Sequence, residues 1–181
     1  MSAQQIVDCD PDRDNDNCWG GWIEGALGYV MGSDADALQL SSSYQYESDV
    51  INSQNNCGYD PDLASVKTDN CRMITPNAPD DLVAALSSGP VAVQLDATDS
   101  NSFRQYTGGL YNHLDCGTDL NHAALAVGWN TVGPIRYVIV KNNWGSDWGE
   151  QGYIRIALDD EEGPGICGIN KSAYQPYAHN L

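Results

Sequence analysis

Two stretches decide the reading of this chain: Leu120-Asn121-His122-Ala123-Ala124-Leu125-Ala126-Val127-Gly128-Trp129 and Val140-Lys141-Asn142-Asn143-Trp144-Gly145-Ser146-Asp147-Trp148-Gly149-Glu150-Gln151-Gly152-Tyr153-Ile154-Arg155-Ile156. The first reads as an apolar strand entered by a histidine. The second reads as the end of one strand, a Gly- and Trp-rich turn and a further strand. A histidine entering one strand and an asparagine leaving the next can be neighbours across a sheet. An imidazole used in catalysis needs its far ring nitrogen held by an acceptor, so that the other faces the chemistry. The amide oxygen of Asn142 supplies that without adding charge, and Trp144 beside it can cover the bond from water, which strengthens it.

Working outward, the second half of the chain is β-rich. Val91–Leu95, His122–Trp129, Arg136–Lys141 and Gly152–Ala157 are β-branched or alternating runs separated by short Gly-containing turns, as in an antiparallel sheet or partly closed barrel. Asp80–Leu86 reads as a short helix stopped by Ser87-Ser88-Gly89-Pro90. The first half is different. Residues 1–7 read as the end or start of a short polar helix, 8–17 as an acidic loop, and Trp19–Met31 as an amphipathic helix. Residues 32–70, rich in Ser, Asn and Asp, read mostly as loop. The expected architecture is α+β: a partial helical and loop lobe over 1–71 and a β-rich lobe over 72–181.

With 181 residues, 41% of them apolar, the chain is globular and has no apolar run long enough to span a membrane. Eight Lys and Arg against 25 Asp and Glu give a net charge of −17, which repels phosphate backbones and anionic lipid heads. Neither nucleic acid nor a membrane is therefore expected as a partner. Six cysteines without a C-x-x-C pair point to disulfides and an oxidising compartment rather than to metal, and no cofactor is expected. The opening Met-Ser-Ala-Gln-Gln-Ile-Val-Asp-Cys carries neither the basic nor the apolar region of an export signal, so a processed or truncated product is expected.

The two opening stretches resemble the histidine and asparagine motifs of the papain/cathepsin cysteine peptidases, N-H-A-x-x-x-V-G and K-N-S-W-G-x-x-W-G-x-x-G-Y. Ser2–Cys9 is similar to that family's S-E-Q-E-L-V-D-C, Cys18-Trp19-Gly20-Gly21 to its G-C-x-G-G, and Tyr44-Gln45-Tyr46 to its Y-P-Y. Gly89–Val93, Tyr106–Tyr111 and Gly165–Gly168 match in the same order. The resemblance implies a papain-like fold, here an incomplete helical left lobe with an antiparallel β-barrel-like right lobe. It also implies peptide-bond hydrolysis by a Cys-His-Asn mechanism with His122 and Asn142 as catalytic residues. Substrate contacts would fall at Gly20, Gly21, Trp22, Ile23, Gln94, Asn121 and Trp144. Gln94 is polar where the family often has a small or apolar residue, and Asn143 replaces its usual serine. The implied disulfides are Cys9–Cys57 and Cys116–Cys167, with Cys18 and Cys71 left to pair with each other, to bond another chain or to remain unbonded.

The nucleophile is the exception. The family's C-G-[SA]-C-[WY] cysteine lies roughly 130–150 residues before the histidine, about 8 to 28 positions upstream of Met1. The glutamine of the family's oxyanion hole belongs to the same segment, so this chain alone is expected to be inactive. Three readings stay open: the larger part of a peptidase whose cysteine lies on an absent segment, a nucleophile-less structural or binding subunit of an extracellular assembly, and a ligand-binding module. The first makes the absent segment the partner and peptide the substrate; the second calls for another protein or another copy. The compartment implied is extracellular or lysosome/vacuole-like. Asp10, Asp12, Asp14 and Asp16 alternate as in a calcium loop but lack its glycine and closing glutamate, which favours a solvated acidic loop. Asn170-Lys171-Ser172 is an N-glycosylation sequon.

Overall fold

The structure is a computed structural model that describes residues 1–11, 20–32, 37–47, 56–98, 102–158 and 161–181. It divides into two compact units, Met1–Arg72 with Pro176–Leu181, and Met73–Gln175. The last six residues, Pro176–Leu181, group with the first unit.

In the first unit, helix α1 (Ala3–Cys9) begins where the Ser2 hydroxyl accepts the Gln5 N–H at 3.0 Å, one of the donors a helix start leaves unsatisfied. Helix α2 (Ile23–Met31) buries Tyr29 and Val30 in a small cluster with Leu38, against which Ile6, Cys9 and Leu27 pack. So little apolar surface leaves polar side chains to organise the unit. The buried Gln5 amide donates to the Tyr29 hydroxyl (3.2 Å) and the Ala37 carbonyl (3.1 Å), while its oxygen accepts the Gln39 N–H (2.8 Å). The Cys9–Cys57 disulfide ties α1 to the far end of this unit. Residues 32–70 are not loop throughout: strand β1 (Leu38–Gln39) pairs antiparallel with a ten-residue strand β2 (Ala64–Met73) that begins within them. The sequence Ala-Ser-Val-Lys-Thr-Asp-Asn-Cys-Arg-Met hides that strand because only Thr68 along it is buried, so no period-two pattern marks it.

In the second unit, helix α3 (Pro79–Leu86) opens on a proline with Asp80 and Asp81 in its first turn, both favourable at a helix start. Strands β3 (Val91–Leu95), β5 (His122–Asn130), β6 (Tyr137–Lys141) and β7 (Tyr153–Ala157) form an antiparallel run in the order β3-β5-β6-β7. Strand β4 (Leu110–Tyr111) adds to β7 in parallel, and β8 (Ala173–Asn180) begins beside β3. The β-rich lobe is thus an open sheet with one parallel edge. Val91, Val93, Leu95, Val138, Val140, Ile154 and Ile156 alternate into its core, where Leu82, Phe103 and Tyr111 also lie. Each such side chain stabilises the unit by about 1.5–3 kcal/mol. The Cys116–Cys167 disulfide closes the segment that leads into β5 onto a 3-10 turn at Ile166–Gly168.

Among the described residues no helix is long and apolar enough to cross a membrane. Among them, too, no three His, Cys, Asp or Glu side chains gather where they could hold a metal ion. Asp10 is buried and its N–H caps α1 by donating to the Ile6 carbonyl; Asp12, Asp14, Asp16 and Cys18 lie outside the described residues. Asn170 is only 5% exposed and its amide donates to the Gly163 carbonyl at 3.1 Å, a bond that a glycan on this sequon would have to displace.

Candidate active site

His122 and Asn142 meet because β5 and β6 are antiparallel neighbours with Leu125 opposite Lys141. The start of one strand and the residue after the other therefore fall at the same end of the sheet. Leu95 of β3 stands opposite His122 on the other side, and the Asn142 N–H donates to the Gly152 carbonyl at 2.9 Å. Backbone hydrogen bonds thus hold both Cα atoms before any side-chain contact is made.

The His122 Nε2 lies 2.7 Å from the Asn142 Oδ1, which also accepts the Asn143 N–H at 2.8 Å. An atom that accepts from a backbone N–H is the amide oxygen, so Nε2 must carry the proton and Nδ1 keeps the lone pair. Asn142 is 6% exposed, and its Nδ2 has no hydrogen-bond partner among the described residues. The Trp144 ring lies 4.7 Å from the imidazole, tilted by 40°, and shields the pair on that side. Phe103, fully buried, props Trp144 edge-on at 5.7 Å and also contacts Trp148 at 5.4 Å. The Arg104 guanidinium sits 5.1 Å from the Trp144 ring centre. Burial holds the His122 imidazole below its ordinary pKa and the positive charge of Arg104 acts in the same direction, while the Asn142 hydrogen bond partly opposes them. The lowered pKa favours the neutral ring at neutral pH, with Nε2 fixed by the bond to Asn142 and Nδ1 holding the lone pair.

A model of the papain family cysteine proteases matches residues 1–177 of this chain. The chain belongs to the papain family of cysteine proteases. Digestive cysteine proteinase 3 of Homarus americanus is 36% identical over 92% of the chain and 50% of its own length. Papaya proteinase 4 of Carica papaya is 33% identical over 97% and 48%. The chain spans about half the length of the curated relatives it matches. Among solved structures, the Carica candamarcensis cysteine protease CMS1MS2, in complex with E-64, superposes with a TM-score of 0.80 at 32% identity, covering 97% of this chain and 76% of that one.

The remaining residues drawn from the papain-family motifs are distributed over both units. Gly20, Gly21, Trp22 and Ile23 belong to the first. Gly20 takes φ +125°, with open space where a side chain would project; Trp22 is 48% exposed and caps α2, which Ile23 starts. Gln94 and Asn121 belong to the second unit with His122. Gln94 is buried on β3 opposite Ala123. Asn121 has its side chain engaged: Oδ1 accepts the Ala97 N–H at 2.8 Å and Nδ2 donates to the Thr98 hydroxyl at 2.9 Å. Both cysteines of the second unit, Cys116 and Cys167, are joined to each other, and Cys71 lies half-buried on β2. The reading from sequence gave no role to Phe103, Arg104, Asp96 or Thr98. No motif marks them, although Phe103 is the only phenylalanine of the chain.

Proposed function

We propose that this chain is the histidine- and asparagine-bearing part of a cysteine peptidase that hydrolyses peptide bonds, its thiolate coming from a segment that the relatives possess and this sequence does not include. The observation that carries the reading is the tautomer-fixing contact between His122 Nε2 and Asn142 Oδ1 under Trp144. In such a site a thiol gives its proton to His122 Nδ1 and the thiolate attacks the substrate carbonyl carbon. The imidazolium then returns the proton to the departing amine, leaving an acyl-enzyme. In the second half Nδ1 takes a proton from water, whose oxygen attacks the acyl carbon and releases the thiolate. Asn142 holds the ring through both halves, and the low pKa of His122 in isolation rises once a thiolate stands beside it. Disulfides in both units favour an oxidising compartment, extracellular or lysosome-like.

A second reading, an inactive structural or binding relative, is favoured by the bonding of both cysteines in the unit that carries His122. A thiol-directed peptidase probe applied to native material separates the two. Labelling of a cysteine outside this sequence, abolished by His122→Ala, is the expected result. Native material that begins at Met1, takes no label and cleaves no peptide would sink the peptidase reading.

A further inference from the structure

One buried carboxylate in the second unit has no part in the chemistry above, yet it lies at the root of the strand that carries His122. Asp96 directly follows β3, is 3% exposed, and gathers donors from two separate segments. Its Oδ1 accepts the Thr98 hydroxyl at 2.6 Å and the Thr98 N–H at 3.0 Å. Its Oδ2 accepts the Asp119 N–H at 3.0 Å, three residues before His122. The loop passes so close that a Cβ on Gly117 would stand 2.4 Å from Oδ2, a distance no side chain could occupy without displacing the carboxylate. A relay then leads to the site. The Thr98 hydroxyl, which donates its hydrogen bond to Asp96, accepts the Asn121 Nδ2–H at 2.9 Å, and Asn121 directly precedes His122 in the chain. The Asn121 N–H donates to the Leu95 carbonyl at 3.0 Å and its Oδ1 takes the Ala97 N–H at 2.8 Å, which locks the entry to β5 against the end of β3.

We propose that Asp96 is the positioning residue for His122, setting through Thr98 and Asn121 where β5 begins and so where the imidazole stands opposite Asn142. The chemistry fits the task. A buried carboxylate is costly unless fully hydrogen-bonded, and a fully satisfied one is rigid because every departure strands a donor. Charge on the acceptor polarises the Thr98 hydroxyl and improves it as the acceptor for Asn121. Burial pushes the Asp96 carboxyl up, but the donors of Thr98, Asp119 and Asn121 outweigh it and hold it below the usual carboxylate range. The cradle therefore keeps its charge in a mildly acidic compartment. This inference deepens the peptidase reading and rests on it for its purpose, but the ring geometry it concerns exists with or without a thiolate.

The test is NMR of the 15N-labelled 181-residue chain, following the His122 Nε2–H and ring titration in wild type, Asp96→Asn, Thr98→Val and Thr98→Ser. Thr98→Val removes the relay at nearly constant volume, and Thr98→Ser restores it. We expect solvent exchange of the Nε2 proton to quicken about tenfold in Asp96→Asn and Thr98→Val, as for loss of one hydrogen bond's restraint, and to return to the wild-type rate in Thr98→Ser. If Asp96→Asn fails to fold, the valine and serine pair decides. An unchanged exchange rate and titration in Thr98→Val, or no recovery in Thr98→Ser, would overturn the proposal whatever the change in melting temperature. Because the readout is the ring and not turnover, it stands apart from probe labelling, which judges the peptidase reading.

Discussion

Truncating Asn142 to alanine tests the local energetics of the site. Its Oδ1 is the acceptor for two donors, the His122 Nε2–H at 2.7 Å and the Asn143 N–H at 2.8 Å, and the side chain is 6% exposed, so water cannot readily replace it. Leaving a buried donor unsatisfied costs about 1–3 kcal/mol, so two together cost about 2–6 kcal/mol. The substitution also removes Nδ2, itself buried without a partner among the described residues, which offsets about 1–3 kcal/mol of that loss. A net destabilisation of about 1–3 kcal/mol is expected. It should be measured by urea unfolding followed through tryptophan fluorescence at pH 8, where His122 is neutral in both states and protonation adds nothing. The m-value should not change, since the surface exposed on unfolding is the same. A loss below about 0.5 kcal/mol would refute the reasoning, because it would mean that the amide oxygen is not satisfying these donors.

His122 should titrate below its ordinary value of 6.5, with Arg104→Gln moving it up and Asn142→Ala moving it further down in NMR titrations; the opposite order would contradict the roles given to burial, charge and hydrogen bond. The same shift links to stability: the unfolded imidazole takes its proton first as pH falls below about 6.5, so stability should fall between there and the folded value and then level off. Replacing Cys116 and Cys167 by serine opens a link between residues 51 apart and should cost about 4 kcal/mol, read from the urea midpoint; a cost under about 1 kcal/mol would show that the reduced chain is held by other contacts. Phe103→Ala should cost about 3–5 kcal/mol and broaden the His122 and Trp144 ring signals, since Phe103 supports Trp144 from beneath; sharp, unshifted rings would argue that Trp144 is held without it.

The His122–Asn142 contact was legible because the two residues flank strands whose apolar alternation is strong and whose ends carry residue types rare in a core. Val91–Leu95 was legible for the same reason, and the structure gives it the same bounds. Strand β2 was not, because a strand that buries only Thr68 owes its conformation to the neighbours it pairs with, and those lie far away in sequence. Nor was β8, whose Tyr-Gln-Pro-Tyr-Ala-His-Asn run is mostly exposed and held by hydrogen bonds such as Leu181 N–H to Ser65 carbonyl at 3.0 Å.

By itself the sequence determined the family and the motif residues: an imidazole, an amide and a tryptophan, in an order that the papain family shares. Only the tertiary structure decided how that imidazole is held. Around the His122–Asn142 pair it places Phe103 edge-on to Trp144, and the Asp96 carboxylate accepts from Thr98, whose hydroxyl accepts from Asn121. Their roles depend on contacts between segments about twenty residues apart, and local periodicity carries no information about which distant donor will meet which buried acceptor.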